Sequence, residues 1–478
     1  MAPTLALLIV LLFITWLFHG EKLRGEELSW QMIVPQLWFL IIASREVSRW
    51  IHPQSAGDEV LDYATALSEG SSLDRNIYLL LILFGLIIVM FRSGRIFNLL
   101  KRNWPPLLFY AFAFASIVWA EFPVVALKRF VKVGGSLLMI LIVLSETDPF
   151  AAIKAMIRWC GYLLIPLSLV FIKYFPQLGR GWGPSGTTDY HGVTTQKNSL
   201  GILSMICCLY FFWEFLAVLN DPPGRKRKRE LFAFGLLALI SFWLLVITQS
   251  ATSLVCLFLG VAIILVMKVP LIANHTGFIG AYIATMLLLF LAGQMMFDLK
   301  TLLVSFLGRD MTLTGRTVLW DETLSFPNNR FIGYGFGNFW LGERIEFFWE
   351  KYWWLPKQAH NGYIETYLNL GLIGVGVVGI ILIDAYRRSS REIKYDVHLG
   401  GFRMAIFFIF IVSNITEASI PSGGTLGMLW FMFLMVSAMD PLYGTWAETE
   451  DTLLLENGYF EDYSADNEEK AEQTFSSS

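Results

Sequence analysis

Long apolar runs alternate with short polar interruptions along the whole chain. The runs fall at residues 3–18, 31–44, 77–91, 104–120, 131–146, 151–175, 197–218, 231–249, 252–270, 277–297, 361–384, 402–416 and 424–440. Most approach the roughly 20 residues that a helix needs to cross hydrocarbon. Backbone amides inside lipid must find partners within their own segment, so these runs are helices and not strands. The pattern predicts an all-α polytopic integral membrane protein of about 12–13 transmembrane helices. Two polar interruptions divide it: a Gly-rich loop at 177–197 and a large loop at 298–360, ahead of the last three spans. They separate N-terminal helices (1–176), central helices (198–297) and C-terminal helices (361–440), after which residues 441–478 form a tail. From Ala447 onward the tail has ten acids against one lysine, and it reads as disordered and cytoplasmic.

Composition agrees with the pattern. Of 478 residues, 55% are hydrophobic and 16% charged, with a mean hydropathy of +0.56; a soluble domain carries about 25% charged residues. The net charge of −3 says little, because charge in a membrane protein counts by side. Cys160, Cys207, Cys208 and Cys256 all sit within apolar runs, which suits packing thiols and not a disulfide framework or metal site. The first run has no basic segment before it and no small-residue cleavage site after it, so it is expected to be a span and not a removed signal peptide.

Basic clusters set the sides. Arg92, Arg95, Lys101 and Arg102 form one, Arg225 to Arg229 a second, and Arg387, Arg388, Arg391 and Lys394 a third. Even numbers of spans separate them, so all three can share the cytoplasmic side. Both loops then face outward, as does the acidic stretch from Arg45 to Asn76. Lys128, Arg129 and Lys132 also fall outside; a short interfacial helix facing lipid phosphates accommodates them, with Trp119, Phe122 and Pro123 marking the interface.

Candidate chemistry gathers in the two loops. In the large one, Ala359-His360-Asn361-Gly362 opens a long apolar helix. An imidazole can take a proton from a hydroxyl near neutral pH. Asn361 can orient it or cap the helix, and Glu365, about one turn on, can line a polar pocket or restrain the imidazole. Gly371, Gly374, Gly376 and Gly379 read as small residues that let helices approach closely. Arg316 follows Thr314-Gly315, either of which can cap a helix. That places a guanidinium beside free amides, an anion site, at an end where the helix dipole favours acids. Trp320, one turn on, can stack on a sugar or sit at the interface. Phe336, Phe339, Trp340, Phe347, Phe348 and Trp349 crowd an amphipathic stretch, read as an interfacial anchor or a groove for a lipid tail. In the Gly-rich loop, five glycines and a proline favour a tight irregular backbone. It supplies Arg180 and His191 and leads into Lys197 and Asn198 at a helix start; Lys197 is either an interfacial anchor or a ligand. The Gly-Lys-Ser/Thr ending of a nucleotide-binding loop is absent.

At these residues the sequence resembles the bacterial O-antigen ligase and polysaccharide polymerase family. The resemblance rests on His360-Asn361, nine residues, then Gly371-Leu372-Ile373-Gly374. Thr314-Gly315-Arg316 with Trp320, and His191-Gly192 leading into Gln196-Lys197-Asn198-Ser199-Leu200-Gly201, support it. It implies transfer of a glycan from undecaprenyl diphosphate to a hydroxyl acceptor, a lipid A core sugar or a growing chain end. The implied place is the periplasmic face of the bacterial inner membrane, among membrane lipids and other polysaccharide assembly proteins. It also implies His360 as activator of the acceptor hydroxyl and Arg316 as diphosphate ligand. An arginine often precedes the upstream motif in this family, where Tyr190-His191 stands here, so a second diphosphate contact passes to Lys197, Arg180 or His191. No His, Asp or Glu cluster has metal-ligand spacing; a metal-independent glycosyltransferase without a cofactor, and without a nucleic-acid partner, is expected. The alternatives are a lipid-linked oligosaccharide flippase, which would place charges along a path through its spans, and a non-catalytic assembly subunit.

Overall fold

A computed structural model describes residues 2–22, 28–52, 71–182, 187–269, 316–352, 354–393, 396–420 and 424–435. The expected span at 277–297, Thr314 and Gly315, much of the acidic stretch after Arg45, and the acidic tail lie outside the described residues. In order, the main elements are α1 (Pro3–Lys22), α2 (Ile33–Ala43), α3 (Ser72–Phe91), α4 (Ser93–Arg102), α5 (Trp104–Ala115), α6 (Pro123–Leu144) and α7 (Pro149–Tyr174). Strands β1 (Arg180–Trp182) and β2 (Thr188–Tyr190) precede α8 (Lys197–Val218), α9 (Arg225–Ile247) and α10 (Ala251–Val266). Then come α11 (Arg316–Ser325), α12 (Glu343–Lys351), α13 (Gly362–Ile393), α14 (Val397–Thr416) and α15 (Thr425–Met435).

The chain is an all-α polytopic membrane protein. Seven of the described helices are long and apolar enough to cross a membrane, and four apolar helical stretches are shorter. The four cysteines are buried and unpaired. At one end of the bundle the basic clusters are tied in: Arg92 bonds Glu146 at 2.7 Å, and Arg388 bonds the Asn103 side chain at 3.0 Å and the Arg102 carbonyl at 2.9 Å. Arg229 reaches the Trp16 carbonyl at 2.7 Å. At the other end sit the irregular segments.

Four local expectations need correction. Lys128, Arg129 and Lys132 are not on a separate interfacial helix. Pro123 sits at the start of α6, where its missing N–H costs nothing, and the helix runs unbroken to Leu144. Arg129 bonds the Gly337 carbonyl, and Lys132 pairs with Glu46 at 3.1 Å. The Gly-rich loop, in turn, is a two-stranded antiparallel ribbon, with Arg180 opposite Tyr190 and Trp182 opposite Thr188. The aromatic stretch is the core of the large loop and not a membrane belt: Phe339, Trp340 and Phe348 are buried with Leu319, Ala359 and Leu368.

The fourth concerns the glycines of α13. Among the described residues nothing lies within 4 Å of a Cβ built at Gly376 or Gly379, so none of the described helices packs closely on them. Gly371 has φ +63 and breaks the helix. The loop enters the break. Tyr334 and Gly335 donate to the carbonyls of Leu368 and Asn369 at 3.0 and 2.9 Å, while Leu372 and Ile373 donate to those of Arg330 and Phe331 at 2.8 and 3.1 Å. A Cβ at Gly371 would lie 2.3 Å from the Phe331 carbonyl. Backbone groups that an interrupted helix leaves unpaired are thus satisfied by the loop, which fixes the loop on the helix carrying His360 at its start.

Candidate active site

His360 stands two residues before α13 in an unusual backbone conformation, φ +50. Side chains rarely adopt this region unless neighbours hold them there. The neighbours do. Glu365 accepts from the Ala359 amide at 3.0 Å, Trp320 donates to the Ala359 carbonyl at 2.7 Å, and the Asn361 side chain accepts from Tyr363 and Ile364 at 3.0 and 3.1 Å. Asn361 is therefore an N-cap. Trp320 is a brace between α11 and the residue before the imidazole.

Glu365 does not restrain the imidazole. Its carboxylate is spent on Ala359, on Trp340 Nε1 at 3.0 Å and on Asn369 Nδ2 at 3.0 Å. The group that faces His360 is Glu417, one residue past α14, with Oε2 lying 3.6 Å from Nδ1. The other oxygen, Oε1, lies 3.3 Å from Arg316 Nη2 and 3.3 Å from Asn198 Nδ2. Arg316 also bonds the Thr416 carbonyl. Three residues singled out in the sequence, drawn from both loops, thus meet on one carboxylate that sequence reasoning missed. Its only signal was a lone acid among the polar residues that close an apolar helix, in Ser413-Asn414-Ile415-Thr416-Glu417.

The local fold fixes that carboxylate. Asn414 accepts from the Ser419 and Ile420 amides at 2.9 and 3.1 Å, turning the chain sharply after α14. Burial pushes the Glu417 carboxyl up, but the neighbouring His360 and the charge of Arg316 outweigh it and hold the group below the ordinary value. Glu417 is an anion at neutral pH. Side-chain exposures of 19% for Arg316, 20% for His360 and 14% for Glu417 leave all three open to a ligand.

The remaining candidates lie on or beside the ribbon, Lys197 at the first residue of α8. Lys197 pairs with Asp189 at 3.0 Å, Arg180 donates to the Ile172 carbonyl at 2.7 Å, and the His191 ring lies over Gly181. Burial lowers the His191 pKa, against the pull of Asp189. An arginine that the sequence did not single out organises this segment. Arg45, after α2, donates to the carbonyls of Leu178, Gly192, Val193 and Thr194 at 2.7–3.0 Å. It clamps the loop that delivers Asn198 to Glu417.

Comparison with known proteins follows the same lines. Residues 236–379 match the family described as O-antigen ligase. The chain is 25% identical over 293 residues to the exopolysaccharide production protein ExoQ of Rhizobium meliloti, covering 58% of this chain and 63% of that protein. It is also 25% identical over 318 residues to a putative polysaccharide ligase of Rickettsia felis, covering 64% of this chain and 72% of the other. The matched region runs from the middle of α9 to Gly379 within α13, and so ends before Glu417. These matches bear out the resemblance carried by the motifs: this polytopic chain is similar in sequence to the O-antigen ligase type of family.

Proposed function

We propose that the chain is a metal-independent glycosyltransferase that moves a glycan from undecaprenyl diphosphate to a hydroxyl acceptor, at the periplasmic face of a bacterial inner membrane. The observation that carries this reading is the meeting of Arg316 and His360 on Glu417. A guanidinium and an imidazole at one partly open point are what a diphosphate leaving group and an acceptor hydroxyl need. The acceptor O–H gives its proton to Nε2 of His360 as its oxygen bonds to the anomeric carbon. The bond from that carbon to the diphosphate breaks, its electron pair leaves with the diphosphate, and the configuration inverts. Arg316 holds the developing charge, which suits a planar two-pronged donor. Lys197 is the second diphosphate contact in this proposal, because its neighbour Asn198 already touches Glu417. Trp320, Asn361 and Glu365 act from behind by fixing the backbone on either side of His360.

The name of ExoQ supports a polymerising role in exopolysaccharide assembly, with a growing chain end as acceptor. A lipid A core acceptor is the other arm of the test. Purified protein is incubated with lipid-linked oligosaccharide extracted from the source membranes, with and without lipid A core, and the products are sized. Loss of a general base costs about 10²–10⁴ in rate, so His360→Ala is expected to give no detectable product while remaining folded in the membrane. Arg316→Lys is expected to fail as well, because a point charge does not replace the fork. Wild-type product from either variant removes that residue's role.

A further inference from the structure

Glu417 is asked to serve two cations at once. Oε1 faces Arg316 at 3.3 Å and Oε2 faces His360 Nδ1 at 3.6 Å. It is anchored independently of both, through Asn198 Nδ2 at 3.3 Å and through its own amide on the Ser413 carbonyl at 2.8 Å. The carboxylate therefore stays in place when either partner moves. A diphosphate is the stronger partner for a guanidinium, offering paired charged oxygens to both prongs.

We propose that Glu417 is the positioning residue of the site and passes between two partners: it holds Arg316 while the donor site is empty, and serves His360 alone once a diphosphate takes the guanidinium. This rests on the glycan-transfer reading above. Among the described residues, the charged groups facing the imidazole are Glu417 and, behind it, Arg316. Gln358, whose side-chain amide lies 3.4 Å from Nδ1, is neutral and accepts from a protonated Nδ1 when its oxygen is turned to the ring, and Glu365 on the imidazole's own helix is engaged with Ala359 and Trp340. An anion at Nδ1 keeps the proton on that nitrogen and leaves Nε2 free to accept the hydroxyl's proton, since the partner of one ring nitrogen sets the role of the other. The base is thus fully supported only after the donor has docked, so donor binding precedes activation of the acceptor.

The two roles of Glu417 predict opposite signs in one variant. In Glu417→Gln the guanidinium is no longer held back and an anion next to the diphosphate is gone. Undecaprenyl diphosphate in nanodiscs is expected to bind about two- to fivefold tighter, the change that one partly exposed ion pair supplies. Turnover of extracted lipid-linked oligosaccharide falls at least about 10²-fold, because the imidazole loses its orienting anion. Glu417→Asp, which keeps the charge on a shorter arm, returns donor affinity towards wild type and recovers part of the turnover. Tighter binding together with slower turnover supports the exchange. Weaker binding and slower turnover together mark a structural residue and overturn it, as does unchanged turnover. His360→Ala and Arg316→Lys separate the two levels: wild-type turnover in both sinks the transfer reading, whereas their loss beside a Glu417→Gln variant that behaves as wild type sinks only the role of Glu417.

Discussion

The two ends of the bundle use the same chemistry for different ends. At the basic end Arg403 bonds Glu392 at 3.0 Å and the Phe433 carbonyl at 2.6 Å, with side-chain exposures of 1% and 0%. At the other end Arg316 bonds Glu417 and the Thr416 carbonyl in the same pattern, one carboxylate and one backbone oxygen. There the pair is 19% and 14% exposed, and a histidine shares the acid. A sealed pair can only hold helices together. A pair with an open edge can trade its partner for a ligand. Composition does not distinguish the two; access does.

The widest separation comes from breaking each pair. Removing one partner of a sealed pair leaves the other charge buried and costs about 3–5 kcal/mol. Arg403→Met is therefore expected to lower the folded yield sharply, as read by the monodisperse fraction after extraction. Replacing Glu392 by leucine in the same chain should restore much of it, since a well-packed apolar pair can match a buried ionic one. Arg316→Lys should leave the folded yield unchanged while abolishing product. If the Arg403 and Arg316 variants lose folded protein equally, the contrast between the ends is wrong.

A smaller effect tests what keeps the open end ordered. The break at Gly371 lets the loop at 330–335 bond to the helix that begins beside His360. Gly371→Ala forces a side chain into a positive φ and against the Phe331 carbonyl. It is expected to cost about 1–3 kcal/mol and to raise hydrogen exchange in residues 329–338 without touching the basic end. Exchange that rises evenly over the whole chain would place the break outside the loop's support.

This break also marks where the sequence stops being legible. Apolar runs located the spans, because hydrocarbon demands long unbroken stretches and the chain supplies them. The spacing of Gly371-Leu372-Ile373-Gly374 supplied a motif, but a positive φ leaves no trace in residue identity, and glycine suits packing and breaking alike. Arg316, His360 and Asn198 were readable as candidates because each is a polar group at a helix start. Their common partner was not, since Glu417 is fixed by the turn that Asn414 makes and lies far along the chain from all three. Arg45 was hidden for the same reason: it serves four carbonyls of a segment remote in sequence. Residues that act alone advertise themselves, and those that act on others become visible only when the chain is folded.

The smallest effect follows from the charge state of Glu417. Its carboxyl titrates below the ordinary glutamate value because His360 and Arg316 together outweigh burial. A group lowered on folding stabilises the native state above its unfolded pKa, about 4.3 for glutamate, and that contribution is lost as the pH falls through the folded value. Wild type should therefore exceed Glu417→Gln in thermal stability at pH 7, by no more than about 1 kcal/mol for a partly exposed pair. The gap should close on acidification below about pH 4. The measurement is a pair of melting curves in nanodiscs at each pH, without donor. A gap that widens in acid would mean that folding raises the carboxyl's pKa instead of lowering it. Burial would then outweigh the two cations, and the contrast with the sealed pair would rest on access alone.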